Sequence, residues 1–193
     1  MHAPSIGIII STTRRERFGH IPAEWAYQIG QQRSDLSFEM IDLRDYSLPM
    51  FDESAPPAYK SSSNGEVRRW LERVRLFDGY IFVTAEYNHS IPAVLKNAMD
   101  YCYSEFSRKP ALFLGYGGLG AARAVEQLRL ICIELGMAPI RTGVHIGVEP
   151  YLAVSKKEKT LMDFDFLNAS AQDAMNELAW WTHALKEARH AQR

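Results

Sequence analysis

Hydroxyl, guanidinium and glycine groups converge in one short stretch, Ser11-Thr12-Thr13-Arg14-Arg15-Glu16-Arg17-Phe18-Gly19-His20. Set between an apolar run and a helical pattern, such donors would join the unpaired N–H groups and positive dipole end of a helix start. Together they make a cradle for a monophosphate. The bland alternative is an N-capping turn with surface arginines. No Gly-x-x-x-x-Gly-Lys-Ser/Thr pattern occurs, which excludes a nucleoside-triphosphate loop. A second stretch, Gly115-Tyr116-Gly117-Gly118-Leu119-Gly120, matches Gly-x-Gly-x-x-Gly. In a dinucleotide site that fingerprint requires an acidic residue about twenty positions on, at the end of the next strand. Glu134 has the spacing but falls inside a helical pattern, and the following strand ends near His145 with no carboxylate. The glycines therefore read either as permitting close backbone approach to a flat ligand or as a plain helix-entry turn.

These stretches need a scaffold, and the hydrophobic pattern supplies one. Ile6–Ile10, Tyr80–Val83 and Ala111–Leu114 are uninterrupted apolar runs, as strands buried on both faces require. Phe38–Leu43 and Ile140–Ile146 are diluted by polar residues and read as sheet edges. Five segments of 3.6-residue period alternate with them: Ile21 to Ile29, Val67 to Phe77, Ile91 to Phe106, Val125 to Leu135, and Leu167 to Leu185. The alternation predicts an α/β fold, a five-stranded parallel sheet with helices on both faces, and allows the flavodoxin-like order 2-1-3-4-5. In that order ligands sit between the ends of the first and third strands, flanked by residues 11–20, 84–92 and 115–120. Residues 49–65 read as a surface loop. So do residues 149–163, whose run Lys156-Lys157-Glu158-Lys159 reads as a solvated turn.

At 193 residues the chain is predicted to be a single domain, residues 1–193, large enough to bury roughly 70% of its extended surface. Twenty-two Lys and Arg against 23 Asp and Glu give a net charge of -1, without the basic footprint of a nucleic-acid binder. Cys102 and Cys132 have no metal-ligand spacing, so no zinc or iron–sulfur site is expected, and a reducing cytoplasmic location is. The run Ile6–Ile10 is too short for a signal-peptide core or a membrane span.

The segment Ala85-Glu86-Tyr87-Asn88-His89-Ser90-Ile91-Pro92-Ala93-Val94-Leu95-Lys96-Asn97-Ala98-Met99-Asp100 resembles the signature of the NADPH-dependent FMN reductase family, Pro-Glu-Tyr-Asn-x-Ser-x-Pro-x-x-Leu-Lys-Asn-Ala-x-Asp. The likeness continues through Lys109-Pro110, Gly117-x-x-Gly120, Arg123-Ala124 and Leu128-Arg129, and is weakest in residues 49–65 and after 149. It implies a flavodoxin-like homodimer or homotetramer that holds FMN noncovalently. Such an enzyme passes reducing equivalents from NADPH or NADH to a small-molecule acceptor: free flavin, a quinone, an azo compound or a metal oxyanion. Carried over by position, Thr12 would supply a hydroxyl and Arg14 a cation to the phosphate, with backbone N–H groups from Phe18, Gly19 and His20. Glu86, Tyr87 and Asn88 would line the isoalloxazine largely through their backbone, and Gly115, Gly117 and Gly118 would let the facing loop approach it. Ser11 and Ala85 stand where the family has glycine and proline, and Glu16 adds a negative charge that Arg14, Arg15 and Arg17 can offset.

No catalytic side chain or metal is called for, because the cofactor carries the hydride chemistry. A different reading is a flavodoxin-type FMN carrier without NAD(P)H oxidation. Near-neutral charge and the lack of a Thr/Ser-Gly-x-Thr loop argue against it. A phospho-acceptor receiver would need an aspartate where Thr84 stands. Trp180 and Trp181 differ by about 100° around their helix, so both cannot face one core, and one is free to meet a subunit partner.

Overall fold

The structure is a computed structural model and describes residues 3–191. Three strands form its centre: β1 (Ser5–Ile10), β3 (Gly79–Ala85) and β4 (Pro110–Tyr116). Their side chains alternate between two cores. Ile6, Ile8, Ile10, Ile81, Val83, Leu112 and Leu114 pack against α1 (His20–Gly30) and the long α6 (Asp165–His190). Ile9, Tyr80, Phe82, Ala111 and Phe113 face α2 (Gly65–Arg75), α3 (Ala93–Asp100) and α4 (Ala122–Glu134). Because both faces are covered, neither set of alternating positions tolerates a polar residue, which is why these runs are unbroken.

With β2 (Ser37–Asp42) at one side and β5 (Ala138–Pro139) at the other, the sheet runs β2-β1-β3-β4-β5, all parallel, in the order that the sequence allows. The other side differs. In place of one strand over Ile140–Ile146 there are two fragments, β5 (Ala138–Pro139) and β6 (Val144–Ile146), and both pair with β4. Between them the Ile140 amide still donates to Ala111 O of β4 at 3.0 Å, but the groups that follow bond to side chains. Arg129 donates to the carbonyls of Ile140 and Arg141, and the Glu177 carboxylate accepts from the amides of Arg141 and Thr142 at 3.0 and 2.9 Å.

Two further expectations need correction. The helix expected to run to Phe106 ends at Asp100, and Tyr101–Phe106 turn back to bury Tyr101, Cys102 and Phe106. Residues 149–163 are not simply a loop, for Val148–Ser155 form α5, a sixth helix. The lysine-rich turn that follows it, 156–159, is exposed as expected, with Lys157 at φ 62°. The irregular segment 46–64 is strapped to α3. Asn97 accepts from the Phe51 amide at 2.9 Å and donates to the Pro49 carbonyl at 2.7 Å. Trp70, fully buried, ties α2 to α3 by donating to Ala98 O at 2.8 Å.

Candidate functional site

The loops after β1, β3 and β4 meet at the carboxyl ends of their strands, at the point where strand order reverses. They enclose a cleft of about 390 Å³, lined by Arg14, Phe18, Glu86, Tyr87, Tyr116, Gly117, Gly118 and Arg123 with Ala85, Leu119 and Tyr151. That volume is within the roughly 300–1,000 Å³ range of small-molecule sites.

After β3 the chain makes a two-residue hairpin, with Tyr87 N donating to Ser90 O at 2.9 Å and Ser90 N to Tyr87 O at 3.1 Å. Asn88 and His89 both take left-handed angles, φ 50° and 72°, as a type I′ turn requires. Gln127 on α4 fixes the turn by donating to the His89 carbonyl and accepting from the Ser90 hydroxyl. The turn is thus rigid, with Asn88 and His89 exposed at its tip.

After β4, Gly115 is required by the loop's own packing. A Cβ there would lie 2.2 Å from the Gly120 carbonyl oxygen. Gly117 at φ 126° and Gly118 differ, since a Cβ on either meets nothing within 4 Å. His145 holds the loop's far end, its Nδ1 2.8 Å from Gly120 O.

After β1, Ser11 is wholly buried and donates to Val83 O at 2.6 Å, locking the loop onto β3. Thr12 is equally buried, its hydroxyl 3.1 Å from that of Tyr116. Burial pushes the Tyr116 phenol up to about 12, so it stays a neutral donor or acceptor. Phe18 packs against both Tyr116 and Tyr151, at ring-centroid distances of 5.2 and 4.7 Å. Arg17 corrects the sequence reading: it is buried and bidentate on Asp42 at the end of β2, so its charge is not free to offset Glu16. Burial opposes ionisation of Asp42, but bonds from Arg17 and the Arg44 amide outweigh it and hold the carboxyl below its usual range.

Glu86 uses its side chain as well as its backbone. Arg123 Nε donates to Oε1 at 2.6 Å and holds the carboxyl below the ordinary glutamate range, helped by the first amides of α4. Its other oxygen is buried with no hydrogen-bond partner.

Of the eleven residues expected at the site, Arg14, Phe18, Glu86, Tyr87, Gly117 and Gly118 line the cleft together. Thr12 and Gly19 lie beneath it. A Cβ on Gly19 would come within 2.8 Å of both the Thr12 and Tyr116 hydroxyls. His20 faces the other way, its Nδ1 3.0 Å from Arg17 O, into a larger cavity of about 540 Å³ between α1 and residues 157–163. In that cavity His20, Lys157 and Lys159 stand among Glu24, Glu158 and Asp163, with Lys159 already over the Phe164 ring. No single charge sign converges there, and it is remote from the signature. Tyr116, Arg123 and Tyr151 are lining residues beyond those expected. The first two sit within stretches that the sequence singles out, whereas Tyr151 carries no signal. Among the described residues no cluster of three or more His, Cys, Asp or Glu could hold a metal ion.

The family model for NADPH-dependent FMN reductase matches residues 4–149. The chain belongs to this family. An NAD(P)H-dependent FMN reductase of Schizosaccharomyces pombe is 32% identical over 140 residues, covering 70% of each chain. A 2-hydroxy-1,4-benzoquinone reductase of a Burkholderia species is 31% identical over 140 residues, 69% of this chain and 72% of that one. Among solved structures, the flavoenzyme NAD(P)H:(acceptor) oxidoreductase FerB from Paracoccus denitrificans superimposes with a TM-score of 0.69 at 20% identity, covering 94% of this chain and 98% of its own, which supports the flavodoxin-like fold. The cleft fits this family's cofactor, FMN. Gly117 and Gly118 leave a face open to a planar ring, the unpartnered Glu86 oxygen complements a ring N–H, and Arg14 stands at the rim with its guanidinium 5.8 Å from the Tyr87 ring centroid.

Proposed function

We propose that the chain is an FMN-dependent NAD(P)H oxidoreductase that delivers reducing equivalents to a small-molecule acceptor such as free flavin, a quinone, an azo compound or a metal oxyanion. The observation that carries this reading is the cleft at the strand switch point, with the signature turn on one wall and the open glycines on the other. FMN, when bound, supplies the hydride chemistry. Arg14 and the backbone of Phe18, Gly19 and His20 would hold its phosphate, with Thr12, whose hydroxyl is buried against that of Tyr116, beneath them. Glu86, Tyr87 and Asn88 would flank the ring on one side, and Gly115, Gly117 and Gly118 would shape the other. The protein's task is to keep the ring fixed and present dipoles to its pyrimidine end, where negative charge grows. The Gln127-braced turn gives that rigidity. The Arg123–Glu86 pair places a guanidinium at the cleft without leaving an uncompensated cation.

The same reading takes residues 1–193 as one domain that works in the cytoplasm as a homodimer or homotetramer. No helix among the described residues is long and apolar enough to cross a membrane. Self-association is supported by Trp180, 66% exposed on α6, while its neighbour Trp181 packs against the core, and by Leu130 and Ile133, exposed on α4. Sedimentation of the purified chain tests the stoichiometry.

The activity is tested by loading the protein with FMN, desalting, and adding NADPH or NADH without oxygen. Retained flavin absorbance that bleaches is the expected result. Retained flavin that both nucleotides leave oxidised would assign a carrier, and flavin lost on desalting would remove FMN as a resident cofactor.

A further inference from the structure

The loop after β1 is held by side chains that converge on the end of β2, Arg17 from the loop itself and Arg44 from just beyond β2. Arg17 Nη1 donates to Thr12 O at 2.7 Å. Arg44 Nε donates to Thr13 O at 3.4 Å, and its Nη2 donates to both Arg14 O and Arg15 O, the latter at 2.9 Å. Both arginines are set by one carboxylate. Asp42 accepts two bonds from the Arg17 guanidinium and one from the Arg44 amide, at 2.9 Å. Four successive carbonyls, residues 12 to 15, therefore point toward β2.

A planar trans peptide directs its N–H opposite to its C=O, and the described chain has no cis bond. The amides of Thr13, Arg14, Arg15 and Glu16 must then point away from β2. With strand order β2-β1-β3-β4, away from β2 is toward β3 and β4, which is where the cleft lies. Successive amides aimed into one concavity form an anion nest.

We propose that Asp42, Arg17 and Arg44 are positioning residues: they clamp the carbonyls of residues 12–15 so that the amides of 13–16 present a preformed nest to the phosphomonoester of the flavin nucleotide. The inference rests on the FMN reading above and deepens it. None of the three side chains needs to touch the ligand. Arg44 acts by geometry, since its guanidinium reaches three carbonyls at once, which a lysine ammonium cannot do in the same fixed plane.

The test compares FMN with riboflavin, which has the same ring and no phosphate. Affinities are measured by flavin-fluorescence titration for the wild type, Arg44→Ala, Arg44→Lys and Asp42→Asn, with thermal melts alongside. Arg44 is exposed, so its variants do not put the core at risk. The expected result is a loss of about tenfold or more in FMN affinity for Arg44→Ala and Arg44→Lys, as two or three lost hydrogen bonds would give, with riboflavin affinity unchanged. Wild-type affinity in Arg44→Lys would show that only charge matters and would overturn the clamp. Equal losses for FMN and riboflavin, or none for FMN, would also overturn it. A wild type that binds FMN no more tightly than riboflavin would instead refute the phosphate assignment on which the proposal stands.

Discussion

Thr12 Oγ1 and Tyr116 Oη meet 3.1 Å apart, a buried pair separated by 104 residues of chain that joins the loop after β1 to the end of β4. Neither hydroxyl reaches water, so each depends on the other. Tyr116→Phe should leave Thr12 unpaired and lower stability by about 1–3 kcal/mol, read from a urea midpoint. Thr12→Val should do the same. The double variant removes both polar groups, so its cost should fall well short of the sum; simple additivity would show that the pair is not coupled.

Arg123 is the cation paired with the largely buried Glu86 carboxylate at the cleft. In Arg123→Ala a bare negative charge would face the ring, making bound flavin harder to reduce. The midpoint potential should fall and kcat should drop by about tenfold, the effect of some 1.4 kcal/mol on the barrier. Adding Glu86→Gln should restore most of that loss. A potential unchanged in Arg123→Ala would mean the pair lies too far from the ring to matter.

Two glycines of one loop should answer differently to the same methyl group. Gly115→Ala drives a Cβ into the Gly120 carbonyl and should destabilise the fold by about 1–3 kcal/mol. Gly118→Ala meets no protein atom and should leave the melting temperature unchanged while weakening FMN binding. Calorimetry with and without FMN separates the two cases.

Lys109 sits beneath the opposite end of the sheet, donating to Arg75 O at 3.1 Å and lying 3.4 Å from the Tyr80 hydroxyl. Burial pushes it down to about 8, with Arg189 and Arg75 adding to the shift against Asp78 and Glu105. Between pH 8 and the ordinary lysine value near 10.5 the unfolded chain binds the proton that the folded chain has released. Stability must therefore rise with pH across that window, by up to about 1.4 kcal/mol per unit, and the contribution of Lys109 must be flat below it. Relative to Lys109→Met, wild type should gain stability from pH 8 to 10. Parallel pH profiles would contradict the assignment.

The sequence carries the central strands plainly because Ile6–Ile10, Tyr80–Val83 and Ala111–Leu114 are buried on both faces, and so short an unbroken apolar run suits a doubly covered strand. The loop after β3 is legible through the signature it carries, whereas Gln127, which braces its turn from 37 residues on, is not. What stays hidden depends on partners far along the chain. Arg17 reads as a free loop cation because Asp42, 25 residues on, belongs to another strand. The break at residues 140–143 needs Arg129 and Glu177, which no local spacing connects. Tyr151 gives no signal because its helix buries only Pro150 and Val154, too few to show a period.

That break also bears on how the molecule behaves in a crowd. An uninterrupted outer strand would offer a row of free N–H and C=O groups on which another chain could polymerise. Here the far margin of the sheet consists of fragments of two and three residues, and between them the carbonyls of Ile140 and Arg141 and the amides of Arg141 and Thr142 are already taken by Arg129 and Glu177. Two side chains drawn from helices thus act as stoppers against strand addition at this margin, a protection that the strand count alone would not reveal.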